Sequence, residues 1–389
     1  MKILHVIPSV SPTLGGPSEV IFNLVKALRD HKIEAEIATT NHNGFELLDV
    51  PLNQRVEYNQ VPIWFFSRFS PPMKEFIFSA TIAPWLWQNI RNYNILHIHY
   101  LFSYAPTSAG AIARYHKVPY IVRTLGQLSP WALTQSHLKK QIYTFLIERH
   151  NLNRAAAIHC TSMSEAEDVR NFGIKTPTIT IPLGVNQPVK CPDAKQRLHQ
   201  AYGISSETPV VLFLSRLHYK KRPDLLIQSL GQLAAQNYNF HLILAGSGEA
   251  DYVEELKNLM MSLGLTSRIS LAGFVKGIDK QLLLQGSDIF VLPSFSENFG
   301  IAVAEAMVVG LPVIVTPGVQ IAQDIAERKA GLVVEGEVDA LANAIAQLLR
   351  SPKLRQELGE NGKSLANSRY SWNAIAQKLA CAYTGILNK

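Results

Sequence analysis

Two glutamates stand eight positions apart in SFSENFGIAVAEAMVVGLPVIVT, Ser294 to Thr316. Glu297 belongs to a polar loop, whereas Glu305 interrupts a run of Ala, Val and Met with the pattern of a buried helix. A carboxylate in that position must find partners, because an ionised group is costly to bury alone. Hydroxyl groups of a ligand would serve, and so would a hydrogen-bonded place in an ordinary core. The preceding SENFG reads as a loop entering a helix. Ser296 and Asn298 are cap candidates there, and Gly300 permits close approach of the backbone. The N–H groups at such a helix start attract anions, phosphate above all.

A second set lies in LFLSRLHYKKRPDLLI. Arg216 follows an apolar strand and Lys221 comes five residues later. A guanidinium fork and a point ammonium together suit a diphosphate, although solvated surface cations have the same appearance. In ILAGSGE, Gly246, Ser247 and Gly248 end a strand in a G-x-G turn, which lets a ligand or another loop come close; it is not a full dinucleotide fingerprint. Gly15 and Gly16 make a similar flexible turn before a helix, either a phosphate or sugar contact or simply a turn. His97 and His99 alternate on YNILHIHY and so share one face of a strand. No further ligands complete a metal site. His97 is expected to be structural, and His99, near the carboxyl end, to be better placed for a ligand.

These groups need a frame. Short apolar runs alternate with amphipathic segments along most of the 389 residues, the pattern of parallel, doubly wound α/β sheets. KILHVIP, IEAEIATT, YNILHIHY, PYIVRT and AAAIHCTS read as strands, with helices at PSEVIFNLVKALRDH, TSAGAIARYHK and MSEAEDVRNFG. The rhythm stops in a Pro-rich, polar stretch and then restarts. The division is therefore an N-terminal domain over 1–185, a linker over 186–208, a second domain over 209–370 and a final helix over 371–389 that crosses back to the first domain. Such domains bind ligands at the carboxyl ends of their strands and in the cleft between them.

Composition excludes several classes. Hydrophobic content of 47% and charged content of 17% belong to a globular protein. The net charge of +7 is diffuse; its densest run, HYKKRP, is too short for a nucleic-acid arm. Three cysteines without C-x-x-C spacing argue against a disulfide framework or structural zinc and for a reducing cytoplasm. MKILHVIPSV reads as a first strand rather than a signal peptide, and no stretch reaches the roughly 18 apolar residues of a spanning helix.

The sequence of motifs, with Gly-Gly after the first strand, then SRLHYKK, LAGSGE, AGFV and SENFGIAVAEAMVVGLPVI, resembles the retaining glycosyltransferases of family 4 over nearly the whole chain. The resemblance implies the GT-B fold, α/β with two Rossmann-like doubly wound domains facing across a cleft. It also implies transfer of a sugar from a nucleotide-diphosphate donor to an acceptor hydroxyl with retention. Arg216 and Lys221 would grip the diphosphate and stabilise the leaving group. Glu297 would contact the donor sugar, Asn298 would belong to the donor loop, and Phe299, Gly300 and Ile301 would offer backbone N–H groups. Glu305 would hold the ribose, Phe274 and Val275 would line the base pocket, and Gly15 and Gly16 would approach the donor from the first domain. There is no D-x-D, and the resemblance implies no bound metal and no cofactor. The chain departs from the family in two places. A T-x-H-G histidine is replaced within VRTLGQLSPWAL, so His99, Arg123, Thr124 or Gln127 takes over contacts near the reacting sugar, or none does. The glycine that follows the lysine is arginine, Arg222.

The expected donor is a UDP-hexose such as UDP-glucose, and the expected acceptor a glycan or lipid-linked saccharide of polysaccharide synthesis, with peripheral contact at the inner membrane face. Aromatics in WFFSRFSPPMKEFIFSATIAPWLW and Trp131 in SPWALTQSHLKKQIY stack on sugars, rest at a membrane, or fill the core. Two other readings use the same fold: an enzyme like the nucleotide-sugar 2-epimerases, and a non-catalytic nucleotide-sugar-binding partner.

Overall fold

The structure is a computed structural model, and it describes residues 1–11, 16–69, 77–130, 133 and 147–388. Gly15, Trp131 and the pair Lys139 and Lys140 lie outside the described residues. The chain divides into two compact units. One comprises Met1–Gly184 with Trp372–Lys389, the other Val185–Ser371.

In the first unit the strands are β1 (Lys2–Ser9), β2 (Glu34–Thr40), a small β3–β4 hairpin (His42–Asn43 and Glu46–Leu47), β5 (Arg55–Tyr58), β6 (Val61–Phe66), β7 (Ile95–His99), β8 (Tyr120–Arg123), β9 (Ala157–Cys160) and β10 (Thr178–Thr180). All but β3 and β4 form an eight-stranded sheet in the order β10-β9-β8-β7-β1-β2-β6-β5. It is parallel apart from the β5–β6 pair. Both faces are covered. Helices Ile82–Asn89 and Tyr104–His116 bury one face with Leu4, Leu96, Tyr120 and Ile158. Helices Gly16–Asp30 and Trp372–Leu387 bury the other with Ile3, Ile37, Ile121 and Tyr383. The last helix therefore completes the first unit, and its entry is specified sterically: a Cβ on Gly184 would come within 2.3 Å of the Trp372 ring.

The strand β6 is absent from the periodicity reading above. Pro62 within VPIWFF argues against a central strand, but it pairs only with the antiparallel neighbour at Glu57, and the parallel register with β2 begins at Ile63. Phe65 and Phe66 are fully buried there, and the Trp64 and Trp85 rings pack 4.8 Å apart. Of the described aromatics in this stretch, Phe65 and Phe66 are core and Trp64 and Trp85 pack against it, while Phe69 and Trp87 are exposed.

The second unit holds β11 (Val210–Leu214), β12 (His241–Ala245), β13 (Ile269–Gly273), β14 (Ile289–Leu292), β15 (Val313–Val315) and β16 (Gly331–Val333), all parallel, in the order β13-β12-β11-β14-β15-β16. This is the 3-2-1-4-5-6 order of dinucleotide-binding domains, whose direction of winding reverses between β11 and β14. Residues 186–208 fall inside this unit. Helix Ala194–Tyr202 packs on helix Gly277–Gly286, closely enough that a Cβ on Gly286 would lie 2.8 Å from the Ala194 carbonyl oxygen.

Candidate active site

The reversal point of the second unit places two loops side by side, Ser215–Arg222 after β11 and Pro293–Gly300 after β14. Backbone and hydroxyl bonds lock them together. Phe295 N–H donates to the Lys220 carbonyl (2.9 Å), and Ser294 Oγ donates to the same oxygen (3.0 Å). The loop after β15 joins them: Thr316 Oγ1 donates to the Ser294 carbonyl (2.6 Å) and Glu297 N–H to the Gly318 carbonyl (2.9 Å). Gly318 has no alternative here, since a Cβ would sit 2.3 Å from the Phe295 oxygen.

The charged groups stand on this lattice. Lys221 is buried, and its Nζ forms an ion pair with the Glu297 carboxylate. Arg216 is exposed in the same loop. Lys220 and His218, which the sequence offers only as part of the charge run HYKKRP, belong to the cluster too. Burial, then the charge of Lys221, lowers the pKa of Lys220; desolvation, then Arg216 and Lys221, lowers that of His218. Cations converge here against mutual repulsion, as a site for an anion requires. Glu305 has a partner that sequence reading missed: Lys280 Nζ lies 2.7 Å from its Oε1, with both side chains about four-fifths buried. Lys280 stands at the fourth position of the helix Gly277–Gly286, and nothing local in the sequence ties it to Glu305.

Ser296 and Asn298, the expected caps, do not cap the helix Ile301–Val308. Gly300 occupies the N-cap with φ 89°, and no side chain caps that end. Phe299 turns its ring into the core, edge-on to Tyr370 at 5.2 Å. Arg222 adopts φ 55°, the left-handed conformation a glycine would take freely. Its guanidinium lies 4.4 Å over the Phe295 ring and donates to the Gly336 carbonyl (2.7 Å), so the arginine preserves the turn. Gly246, Ser247 and Gly248 receive the neighbouring loop: Leu217 N–H donates to the Ser247 carbonyl (2.8 Å), and a Cβ on Gly246 or Gly248 would come within 1.8 Å of Ser215 O or 2.4 Å of Leu217 O. Of the two alternatives for this turn, the structure shows the loop contact. Phe274 is 72% exposed and Val275 partly buried beyond β13.

In the first unit the winding reverses between β1 and β7. Gly16 is the first residue of the helix that follows β1. His99 does not have the open position expected of it. It is 1% exposed, and its Nε2 lies 3.0 Å from His5 Nδ1. Cross-strand register explains the burial: His5 pairs with His97 and His99 with Arg123, on the sheet face that helix Trp372–Leu387 covers. His97 is held by the Tyr383 hydroxyl (2.7 Å) and His159 Nδ1 (3.2 Å). Desolvation, then neighbouring cations, lowers the pKa of His5 and of His159 to about 3. Desolvation likewise holds His97 and His99 well below the usual value. His5, His97 and His99 have the spacing of metal ligands. His5 Nδ1 and His99 Nε2 bond to each other and the two His97 nitrogens to Tyr383 and His159, His5 Nε2 is buried without a partner among the described residues, and buried Arg123 adds positive charge that opposes a cation beside them.

Thr124 and Gln127 also have structural work. Buried Glu165 accepts from Thr124 Oγ1, Gly126 N–H, Thr161 N–H and Thr161 Oγ1, each at 2.7 Å. Gln127 Oε1 accepts from Leu101 N–H at 2.6 Å. Tyr100, Phe102 and Leu125 adopt left-handed φ values in these loops, 73°, 57° and 54°. For bulky residues that is strain which the surrounding bonds must hold.

Two units, each a parallel sheet whose winding reverses, have the architecture of the GT-B class, and comparison with known proteins agrees. Residues 15–184 match the family described as glycosyl transferase 4-like domain, and residues 194–365 match glycosyl transferases group 1. The chain belongs to the family 4-type GT-B glycosyltransferases.

Among curated relatives, D-inositol 3-phosphate glycosyltransferase 2 of Catenulispora acidiphila is 28% identical over 391 residues, covering 95% of this chain and 90% of that protein. An uncharacterized glycosyltransferase of Methanocaldococcus jannaschii is 30% identical over 193 residues, where the match spans about half of each chain, 49% and 48%. Among solved structures, Anabaena Alr3699/HepE in complex with UDP and glucose superposes with a TM-score of 0.78 at 22% identity, covering 99% of this chain and 100% of that one. A sucrose-phosphate synthase from Thermosynechococcus elongatus gives 0.75 at 20%, covering 100% of both. At these identities the structures speak for the fold.

Proposed function

We propose that the protein is a retaining hexosyltransferase that takes a hexose from a UDP-sugar and places it on a hydroxyl of a glycan or lipid-linked acceptor, without a bound metal. One observation carries the reading. Lys221, with Arg216 in the same loop, stands beside an uncapped helix start at the reversal point of the second unit. A diphosphate seated there meets two permanent cations and the N–H groups of the helix start, which stabilise the leaving group as charge develops on it. Glu297, held by Lys221, directs a carboxylate oxygen to the hydroxyls of the donor sugar. Glu305 exchanges part of its contact with Lys280 for the ribose hydroxyls.

UDP is preferred because UDP or UDP-glucose is bound in Anabaena Alr3699/HepE. A relative named for GDP-mannose, a mannosyltransferase of Mycolicibacterium smegmatis 30% identical over half of this chain, keeps guanosine in the comparison. We place the enzyme in the cytoplasm on its three unpaired cysteines. Among the described residues no helix is long and apolar enough to cross a membrane, so contact with lipid-linked acceptors is peripheral.

The test is calorimetric titration with UDP, GDP, ADP and CMP in the presence of EDTA. Tight binding of UDP alone supports the donor assignment. GDP in its place changes the base, and no binding to any of the four removes the donor site. Product release without an acceptor, as a rearranged free sugar, would favour the epimerase class.

A further inference from the structure

An open surface pocket of about 500 Å³ lies at the amino-terminal ends of β8 and β9, the opposite end of the first sheet from His99 and Gly16. Its lining includes Arg114, Lys117, His150 and Arg154, together with Pro119 and Tyr120. Among the described residues it has no acidic side chain. Three elements build it. Helix Tyr104–His116 ends at Lys117, which caps it in the left-handed conformation (φ 57°) and turns the chain into β8. Helix Arg149–Asn153 ends at Arg154. The two strand starts are joined by Ala156 N–H donating to the Tyr120 carbonyl at 2.8 Å.

Basic residues at helix C-termini have an ordinary use, which is to offset the partial negative charge of the last carbonyls. That use is too small to account for this cluster. Two helix ends carry roughly half a negative charge each at most, whereas Arg114, Lys117 and Arg154 bring three full positive charges before His150 is counted. Carboxylates do not make up the difference. Glu148, whose charge acts on Tyr120, is buried and accepts from Thr107 Oγ1 (2.6 Å) and Phe102 N–H (3.2 Å). Lys117, His150 and Arg154 make no side-chain hydrogen bond or ion pair among the described residues. Arg114 is oriented by one bond to the Oδ1 of buried Asn151, whose own carbonyl accepts from the Tyr120 hydroxyl at 2.6 Å. The result is a preset guanidinium, two exposed cations without a protein partner among the described residues and an exposed imidazole around a hollow large enough for a phosphorylated sugar or headgroup.

We propose that this pocket is a second anion site, separate from the donor diphosphate site, which takes a phosphate monoester or diester. An arginine fork with flanking point charges suits phosphate over carboxylate. The phosphate belongs either to a soluble metabolite or to a lipid headgroup.

The experiment uses the full chain and two probes: glycerol 3-phosphate by calorimetry, and vesicles of phosphatidylglycerol against phosphatidylcholine by co-sedimentation. Three proteins are compared: wild type, Arg216→Ala/Lys221→Ala, and Lys117→Asn/Arg154→Gln. Asparagine tolerates the left-handed cap position, which keeps the fold, and circular dichroism checks it. Wild type and Arg216→Ala/Lys221→Ala should bind alike, whereas Lys117→Asn/Arg154→Gln should bind at least about tenfold more weakly, with a shallower salt dependence. Binding of glycerol 3-phosphate without vesicle binding assigns a soluble ligand, and vesicle binding alone assigns a lipid headgroup. Binding that vanishes with Arg216 and Lys221 but survives Lys117→Asn/Arg154→Gln overturns the proposal, as does no binding to either probe.

Discussion

Replacing Lys221 by Met separates what the Lys221–Glu297 pair does for the fold from what it does for the reaction. The two side chains are 9% and 16% exposed. At an effective dielectric of about 20, unit charges 4 Å apart attract by about 4 kcal/mol. Removing one partner forfeits part of that and leaves Glu297 with a desolvation penalty, so Lys221→Met should destabilise the second unit by about 2–3 kcal/mol. Glu297→Gln should cost a similar amount, because it leaves the lysine charge unpaired. The double variant Lys221→Met/Glu297→Gln removes both charges and should recover about 2 kcal/mol of the summed loss, the coupling expected of neighbours in contact.

Activity should not follow. If Lys221 stabilises the leaving diphosphate, its loss lowers kcat by about 100-fold or more, and removing Glu297 restores nothing. Denaturant melts give the stability cycle, and single-turnover transfer from the donor identified by titration gives the rate cycle. A double variant that regains activity in step with stability would show the pair to be a structural bridge and would refute the assignment of Lys221 to the leaving group.

Acid should unfold the first unit early. His5, His97, His99 and His159 have pKa values lowered in the folded state, to about 3 where a value applies. The unfolded chain therefore binds more protons between about pH 6.5 and 3, and stability present above pH 6.5 is lost as pH falls. Each such histidine contributes about 1.4 kcal/mol per pH unit; a melting temperature that stays level from pH 7 to 5 would contradict this. Gly246→Ala should cost more than about 2 kcal/mol in denaturant melts, since its Cβ meets a carbonyl oxygen at 1.8 Å and its φ is 149°, whereas Gly385→Ala, with open space inside a helix, should gain about 0.5–1 kcal/mol. Glu305→Ala should weaken nucleotide binding by about tenfold or more, the loss of hydrogen bonds to a charged acceptor, while Lys280→Met lowers stability and leaves nucleotide affinity unchanged in calorimetry. Equal effects on affinity would assign the pair to the fold alone.

The second unit was the more legible in the sequence because its chemistry depends on residue types that stand out from their surroundings. A lysine beside a strand end and a glutamate within an apolar helix each contradict the local pattern, and each occurs at the reversal point or next to it. What could not be read was the other half of each contact. Lys280 lies 25 residues from Glu305, and only the packing of helix Gly277–Gly286 brings them together. The cap at Gly300 was hidden behind Ser296 and Asn298, because propensity favours a polar cap and the tight turn required a positive φ. Pro62 concealed β6, since its missing N–H matters only where a ladder bond is needed. His99 looked accessible at the carboxyl end of its strand, but it stacks on His5 and His97 in a cluster that Tyr383, nearly 300 residues away, closes through His97.

Glu148 and Glu165 differ from Glu297 and Glu305 in the kind of partner they have, whereas buried Glu36 of the first unit is held by cationic side chains, Arg55 and Lys2, as the latter pair is. Glu148 and Glu165 in the first unit accept from backbone N–H and threonine hydroxyls, partners fixed by the chain, and they hold the strained loops around Phe102 and Leu125. No ligand can take their place without unfastening those loops. Glu297 and Glu305 in the second unit accept from lysine ammonium groups on long, rotatable side chains. An ammonium can remain nearby while a sugar hydroxyl takes one of the carboxylate's remaining lone pairs, so the charge stays compensated in both the free and the bound protein. A helix meant for a core can carry a carboxylate at Glu305 because Lys280 neutralises it; in the proposed donor site, exchanging part of that flexible contact for a ribose hydroxyl would cost far less than leaving the charge unpaired.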